Sequence, residues 1–342
     1  TGQPIAAKRP HQMTLHGNTR IDEYYWLRDD TRKDPEVLNY LEAENAWFDK
    51  TMEPLAGLQQ QLFEEMTSRL DPDESSVPYF KDGYWYYSRY EAESEYAIHA
   101  RRKGSMEATE EILIDGNQRG EAHAFYRLMG MEVSDDHRYV AIAEDITGRR
   151  INTISILDTQ SGEFLPETIG NASGSLAWSA DGQYLFYLNK HLETLLAYQV
   201  MRHKLGSEPS EDTLVYEETD NTYYSGLGRS RSGQFIMLTH ENTDTTETQL
   251  LAADDPLGSF KPFLPRETGH EYGIDHANGQ FFIRTNWQAE NFRVMSAKLE
   301  NSADKSSWKE LIPHRTDAMV RDLQAFDRWL VVGERQDGLR KV

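Results

Sequence analysis

The sequence has no cysteine and no long apolar run. Its 342 residues carry 36 basic and 57 acidic side chains, so the formal net charge is −21. The absence of cysteine excludes disulfides, thiol catalysis and cysteine-based zinc or iron–sulfur sites. No stretch reaches the roughly 18 apolar residues that a membrane-spanning helix needs, so we expect no membrane partner. The acidic balance also argues against a nucleic-acid partner bound through net charge.

Recognisable catalytic and ligand-binding motifs are scarce as well. The sequence contains no Gly-x-Ser-x-Gly nucleophile elbow, no Walker loop, no EF-hand loop and no His-Glu-x-x-His pair. The two nearest elbow-like strings, at 170–174 and 228–233, have the wrong spacing, and the second fits a hairpin turn better. The eleven histidines show no i, i+4 pairing on a helix. We therefore expect no metal site and no cofactor.

The first 75 residues predict a loop followed by two helices. Asp34-Pro35 is a helix start signal, because Asp caps the helix and Pro is tolerated at its first position. Apolar residues then recur at helical spacing over 37–48 and 55–70, as far as the stop signal Asp71-Pro72-Asp73. Each helix has a single apolar face, so both need another surface to pack against.

From residue 76 onward the apolar pattern has a period of two, which indicates strands. A unit recurs in which an apolar stretch, a tight polar turn and an aromatic-rich stretch follow one another, most clearly over 176–187. Asp-Gly and Asn-Gly at several of the turns supply the positive φ of a two-residue hairpin. The turns lie near residues 83, 137, 182, 233, 279 and 327, at steps of 45–54 residues.

Antiparallel hairpins at this spacing give about four strands per unit, which is the period of a β-propeller. We therefore predict a mainly β fold. It has an N-terminal helical segment over 1–75 and a propeller of about six repeats over 76–342. The alternative is a β-sandwich whose turns are evenly spaced by coincidence.

One group of charged residues is a candidate site. Glu144-Asp145 is followed by Arg149-Arg150, and together they form a possible charged cluster at the end of a blade. The alternative interpretation is a solvated connection with local ion pairs. The excess negative charge likewise has two interpretations, a hydrated surface or the attraction of cationic substrates, and net charge alone does not choose between them.

Several strings, taken in order along the chain, carry a family resemblance. Residues 16–29 contain Asp22-Glu23-Tyr24-Tyr25-Trp26-Leu27, and a helical pattern follows over 37–45. Later strings are Tyr96-Ala97-Ile98, Ala143-Glu144-Asp145, Thr194-Leu195-Leu196-Ala197-Tyr198, Phe263-Leu264-Pro265-Arg266 and Trp308-Lys309-Glu310-Leu311-Ile312-Pro313. Their order and spacing resemble the prolyl oligopeptidase family of serine peptidases, in its oligopeptidase B subfamily, over essentially the whole chain.

The resemblance implies a serine oligopeptidase in which a seven-bladed propeller caps a C-terminal α/β-hydrolase domain. The subfamily cleaves short peptides after Arg or Lys through a Ser-Asp-His triad, which implies short basic peptides as substrates and the hydrolase domain as a partner. The triad and the specificity carboxylates belong to that domain, and no residue of 1–342 matches them. We therefore expect an inactive fragment, the N-terminal segment plus an incomplete propeller that gates and size-selects substrates.

Within this interpretation, Glu144, Asp145, Arg149 and Arg150 are the candidates for ion pairs with the hydrolase domain. A stand-alone propeller that binds peptides or proteins is the alternative function. A propeller glycosidase or lactonase would need acidic or metal-ligating residues that converge at the channel, and none stands out. The resemblance and the lack of an apolar leader predict a cytoplasmic location, although a periplasmic one stays open if a signal peptide before Thr1 has been removed.

Overall fold

A computed structural model of the chain describes residues 2–71, 74–92 and 94–342. The chain forms two compact units, residues 1–74 with 91–93 and residues 75–90 with 94–342. The first unit has two strands and two helices, namely β1 His11–Leu15, β2 Asn18–Asp22, α1 Pro35–Met52 and α2 Ala56–Thr67. No helix among the described residues is long and apolar enough to cross a membrane.

The two predicted N-terminal helices are confirmed, with local differences at their ends. α1 begins as expected, because the side chain of Asp34 accepts the N–H of Glu36 at 2.8 Å and so satisfies one of the free donors of the first turn. α2 ends at Thr67, before the predicted end at residue 70. Of the predicted stop signal, Pro72 and Asp73 lie outside the described residues.

The second unit is built from antiparallel sheets whose strands follow chain order. The first blade consists of β3 Tyr79–Lys81, β4 Tyr84–Arg89, β5 Ile98–Lys103 and β6 Glu110–Asp115. A short helix, α3 Gly116–Gly120, leads to the next sheet. That sheet consists of β7 Arg127–Val133, β8 Tyr139–Asp145, β9 Asn152–Asp158, β10 Glu163–Trp178, β11 Tyr184–Lys190, β12 Ala197–Lys204 and β13 Thr213–Glu217.

This seven-stranded sheet is two blades joined through β10. Its 16 residues serve as the last strand of the second blade and the first strand of the third, with register shifts on both sides of Ala172. Three further sheets follow. The fourth blade consists of β14 Tyr224–Arg229, β15 Phe235–Glu241, β16 Thr246–Ala252 and β17 Lys261–Pro262, and the fifth of β18 Tyr272–Ala277, β19 Gln280–Thr285, β20 Arg293–Ala297 and β21 Lys309–Ile312. The sixth sheet has three strands, β22 Ala318–Ala325, β23 Leu330–Gln336 and β24 Leu339–Lys341. The predicted mainly β propeller with two N-terminal helices is confirmed.

The hydrophobic core of this unit lies between neighbouring blades. Between the second and third blades, Ile154 and Ile156 of β9 pack with Trp178 and Leu185. Equivalent clusters lie between each other pair of successive blades. Both faces of an inner blade are therefore apolar, because each is covered by a neighbour, and each buried Leu or Ile contributes about 1.5–3 kcal/mol.

The first two strands of every blade are joined at the same end of the unit, which we call the turn face. The two-residue turns predicted from Asp-Gly and Asn-Gly occur at 82–83 and 278–279, where both residues have positive φ. The turns of the second, third and fourth blades are longer and share a serine cap. In the third blade, the hydroxyl of Ser179 accepts the N–H of Tyr184 at 3.0 Å and donates to Asp181.

Because the strands alternate in direction, the second and third strands of each blade are joined at the opposite end, which we call the loop face. The β8–β9 connection at 146–151 and the β11–β12 connection at 191–196 belong to it. At the inner strands, a Cβ added to Gly174 would lie 2.5 Å from the carbonyl oxygen of Met129. The glycine of the elbow-like string at 170–174 is therefore needed for close strand packing.

Candidate functional site on the loop face

Glu144, the first predicted site residue, ends β8 in a buried position. Its side chain is 7% exposed and forms an ion pair with the guanidinium of Arg119 from α3. Its carboxylate also accepts the hydroxyl of Tyr126 at 2.7 Å. Burial and the negative charge of Glu144 raise the pKa of Tyr126, so that hydroxyl stays protonated and donates. The carboxylate of Glu144 therefore ties the connection between the first and second blades to the second blade.

Asp145 organises the β8–β9 connection. Its carboxylate accepts the N–H groups of Thr147 at 2.8 Å, Gly148 at 3.0 Å and Arg150 at 2.6 Å, together with the hydroxyl of Thr147 at 2.9 Å. Burial alone would raise the pKa of Asp145, but these donors outweigh it and hold the pKa below its ordinary value. The side chain is thus a fixed anchor for the connection.

The two arginines of the predicted cluster are arranged differently. Arg149 is half-buried, and within the described ranges its Nε has no hydrogen-bond partner. Arg150 is exposed, and its φ of 57° lies in the left-handed region, which residues other than Gly and Asn rarely adopt. Among the residues that the structure describes, neither guanidinium pairs with Glu144 or Asp145. The interdomain role of all four residues stays a prediction.

Arg150 lines a pocket of about 370 Å³ on the loop face. The pocket lies among the ends of the second, third and fourth blades, and its other lining residues are Ser173, Lys190, Thr194, Leu195, Leu196, Ala197, Tyr224 and Ser225. Two of these residues are cations, and no carboxylate is among them. In a chain with a net charge of −21, this is a locally positive site.

Lys190 is held in this pocket by the backbone of Arg150. Its Nζ donates to the carbonyl oxygen of Arg150 at 2.7 Å. Burial and the positive charge of Arg150 both lower the pKa of Lys190, and the negative charge of Asp145 does not offset them. The two cations therefore repel one another without full compensation from the protein.

One serine–histidine pair at this pocket resembles part of a catalytic triad, but its geometry excludes one. The hydroxyl of Ser225 lies 2.9 Å from Nδ1 of buried His240, while the carboxylate of Glu218 lies 3.5 Å from the same nitrogen. A triad needs the acid on one ring nitrogen and the nucleophile on the other. Burial also lowers the pKa of His240, which makes its imidazole a weaker base.

The turn face carries a larger cavity, of about 740 Å³, with a second pair of this kind. The hydroxyl of Ser232 lies 2.8 Å from Nδ1 of His276. The adjacent carboxylate of Asp275 accepts the backbone N–H groups of His276 and Ala325, at 2.9 and 2.8 Å, and does not orient the imidazole. Neither pair is therefore arranged as a nucleophile with its base and acid.

The fold and the sequence both have counterparts among known proteins. Residues 4–342 match the family described as prolyl oligopeptidase, N-terminal beta-propeller domain. The chain belongs to this family. The resemblance predicted from the sequence is thereby confirmed.

Relatives of this propeller domain are about twice its length. Dipeptidyl aminopeptidase BI of Pseudoxanthomonas mexicana is 41% identical, over 99% of this chain and 49% of that protein. Protease 2 of Moraxella lacunata is 32% identical, over 99% and 49%. The structure of oligopeptidase B from Leishmania major superposes with a TM-score of 0.92 and 28% identity, over 99% of this chain and 50% of that one. The chain thus spans about half the length of the relatives it matches.

Of the residues that line this pocket, only Arg150 was a candidate from the sequence, as a partner of the hydrolase domain, and that role stays a prediction. Lys190 and Ser225 lie 40 and 75 positions further along the chain, on other blades, and no short motif connects them with Arg150. The available signal was topological, because Lys190 ends the second strand of its blade just as Asp145 does. In the described part of the chain, no group of three or more His, Asp or Glu side chains is placed to hold a metal ion.

Proposed function

We propose that this chain is the substrate-gating, size-excluding propeller part of a serine oligopeptidase that cleaves short peptides after Arg or Lys. The catalytic residues would lie outside these 342 residues, in a hydrolase domain. Membership of the prolyl oligopeptidase N-terminal beta-propeller family carries the proposal, because the matching peptidases are about twice as long as this chain. The serine–histidine geometries described above are consistent with it.

The apolar surface of the N-terminal helices supports the need for a further domain. Leu41 and Phe48 of α1 and Leu58, Phe63 and Met66 of α2 have exposed fractions between 49% and 66%. Covering a large apolar side chain contributes about 1.5–3 kcal/mol, so five such side chains form a substantial docking surface. A stand-alone propeller would leave this surface in water, which disfavours the alternative of an independent binding module.

The test is a substrate panel for the full-length protein that contains this chain. We expect hydrolysis of short fluorogenic peptides after Arg or Lys, sensitivity to a serine-directed inhibitor and no cleavage of folded proteins. The 342-residue chain alone should be inactive in the same assay, because no triad is formed by its described residues. Inhibitor-sensitive cleavage by the pure chain, or no cleavage by the full-length protein, would contradict the proposal.

A second candidate activity is the removal of dipeptides from the amino end of a peptide. It is favoured by one observation, the 41% identity to a protein named dipeptidyl aminopeptidase BI. An amino-blocked peptide and the same peptide with a free amino end distinguish the two activities. Cleavage of the blocked peptide after Arg supports the oligopeptidase, whereas cleavage of only the free peptide, two residues from its end, supports the aminopeptidase.

The gating role rests on the charged side chains at the loop face. Arg149 and Arg150 are the more accessible members of the predicted interdomain set, because Glu144 and Asp145 are buried. Replacing both arginines by Ala in the full-length protein should change kcat/KM for a ten-residue peptide more than for a dipeptide reporter. Equal kcat/KM ratios in the variant and the parent protein would remove these residues from the gate.

A cytoplasmic location belongs to the same proposal. It is supported by the family resemblance. Fractionation of cells that express the full-length gene, with immunoblotting of each fraction, tests it. Recovery in a periplasmic or extracellular fraction would contradict it.

A further inference from the structure

The pocket around Arg150 and Lys190 has the charge of an anion site. Both cations line it, and as far as the structure describes the chain, none of its lining residues is a carboxylate. The carboxylate of Asp145 acts on Lys190 through its charge, but both its oxygens already accept hydrogen bonds from the β8–β9 connection. The direction of the Lys190 pKa, lowered by burial and by Arg150, agrees with a missing counter-ion.

The backbone around the pocket is held in an unusual conformation. Arg150 and Leu195 line the pocket at φ values of 57° and 61°, and Asn171, two residues before Ser173, has a φ of 58°. Such conformations cost about 1 kcal/mol or more for an ordinary side chain and cluster at functional sites. The backbone N–H of Arg150 donates a hydrogen bond to the carboxylate of Asp145, which holds this backbone conformation. In the same conformation, the carbonyl oxygen of Arg150 accepts a hydrogen bond from Nζ of Lys190.

Neutral groups in the pocket suit a planar oxyanion at the end of a peptide. The hydroxyl of Ser173 accepts the N–H of Ser175 at 3.1 Å, which leaves its own proton free to be donated. The exposed ring of Tyr224 and the side chain of Leu195 supply apolar contact for the residues next to the charge. An arginine and a lysine beside a free hydroxyl form a common carboxylate-binding set.

We propose that this pocket binds the C-terminal carboxylate of a short peptide. The inference rests on the proposed peptidase function, because the only anion that every unmodified peptide carries is that carboxylate. It adds a recognition element to the propeller: in a short peptide every bond lies close to the chain end, whereas most bonds of a folded protein lie far from it. The pocket would therefore select for peptide ends in addition to any steric exclusion.

Fluorescence anisotropy on the full-length protein tests the proposal. The probes are a fluorescein-labelled tetrapeptide with a free C-terminal carboxylate and the same peptide with a C-terminal amide. The protein is first treated with a serine-directed inhibitor, and probe integrity is checked by mass spectrometry. We expect the acid to bind about tenfold more tightly than the amide, the factor that one charge-assisted hydrogen bond supplies.

Three variants locate the effect. Arg150→Asn removes the charge at a left-handed position that Asn tolerates, and Lys190→Gln keeps a donor for the carbonyl of residue 150. Both should bring the ratio of acid to amide affinity close to one. Arg149→Asn is the matched control, because it removes the same charge from the same connection but does not line the pocket. The ratio should persist in that variant.

Three outcomes would overturn the proposal. Equal affinity for acid and amide in the parent protein means that the carboxylate is not recognised. A preference that survives both Arg150→Asn and Lys190→Gln places recognition elsewhere, and displacement of the probe by equimolar inorganic phosphate indicates an unselective anion site. Because the readout is binding, a protein that binds the acid selectively yet cleaves no peptide would contradict the proposed function and leave this inference standing.

Discussion

Two cations of the turn face and two cations of the loop face of the propeller unit differ in their partners. On the turn face, Arg229 of β14 pairs with Asp135 at 3.0 Å, and Arg231 lies 3.6 Å from Asp275. On the loop face, Arg150 and Lys190 line a pocket without a carboxylate among its described lining residues. Arg229 and Arg231 therefore face carboxylates of other blades, whereas Arg150 and Lys190 pair with no described carboxylate, although another cation of the loop face, Arg119, is paired.

The difference follows from what each face must do for the fold. Every blade needs a hairpin between its first two strands, and three successive blades share one solution: the hydroxyls of Ser134, Ser179 and Ser230 each cap the fifth residue along, at 2.9–3.0 Å. The connections of the loop face join strands that are already held by their neighbours. Their sequences are free to differ from blade to blade, and such connections commonly carry function.

The largest effect expected is the loss of the carboxylate that organises the loop face. Asp145→Ala would leave three N–H groups and one hydroxyl without their acceptor, which should lower the free energy of unfolding by about 3 kcal/mol. Urea denaturation followed by tryptophan fluorescence measures the change. A loss below about 1 kcal/mol would mean that water replaces the carboxylate and that the connection is not anchored by Asp145.

Acid provides a second test of Asp145, with Asp145→Asn as its control. The folded-state pKa of Asp145 is lowered, so its ionised form adds stability above the unfolded pKa, and this contribution is lost as pH falls through the folded pKa. The stability difference between the parent protein and Asp145→Asn should therefore be largest near neutral pH. It should shrink below a pH of about 4. A difference that grows on acidification would reverse the assigned sign.

Glu144→Gln should have the next largest effect. The substitution keeps the shape of the side chain but leaves the partly buried guanidinium of Arg119 without its counter-ion. We expect a loss of about 2 kcal/mol, below the cost of breaking a fully buried pair because the side chain of Arg119 is 31% exposed. Asp317→Asn, which breaks the exposed pair with Arg315, should cost clearly less, because solvent screens that pair. Equal losses of unfolding free energy in the two variants would mean that the Glu144–Arg119 pair stabilises the fold no more than an exposed pair does.

The fold was largely predictable because its signals are local. Hairpin turns at 83, 137, 182, 233, 279 and 327 stand near Gly, Asp or Asn, and the strands beside them alternate or are apolar throughout. The helix start at Asp34-Pro35 is likewise a contact between near neighbours. Such features depend on residues a few positions apart, and the period of their recurrence predicts the number of strands in each unit.

The site was predictable only in part because its contacts are distant in sequence. The partner of Glu144 is Arg119, 25 positions earlier on a short helix, and not the nearby Arg149 or Arg150. The left-handed backbone of Arg150 could not be foreseen, since it depends on the carboxylate of Asp145 and not on the residue type. The short separation of Asp145 and Arg150 along the chain suggested an ion pair, but the carboxylate of Asp145 accepts backbone N–H groups of the β8–β9 connection instead.

On the turn face, removal of a serine cap should have a moderate effect. Ser179→Ala deletes a buried hydroxyl that accepts the N–H of Tyr184 and donates to Asp181, which should cost about 1 kcal/mol. Ser207→Ala is the matched control on the same face, because that hydroxyl lies in an exposed turn and only donates to the carbonyl of Lys204. Denaturation midpoints that fall equally in both variants would show that the repeated cap has no special role.

Arg150→Asn should have the smallest effect on stability and thereby separates the two faces most clearly. The substitution removes a cation that pairs with no described carboxylate, and Asn adopts the left-handed conformation with less strain than Arg. We expect the free energy of unfolding to change by less than about 0.5 kcal/mol, or to rise slightly. Arg229→Asn, which removes a paired cation from the turn face, should lower it by more than about 1 kcal/mol. If the two variants were equally destabilised, the guanidinium of Arg150 would stabilise the fold. It would then not be free to bind a ligand in the pocket of the loop face.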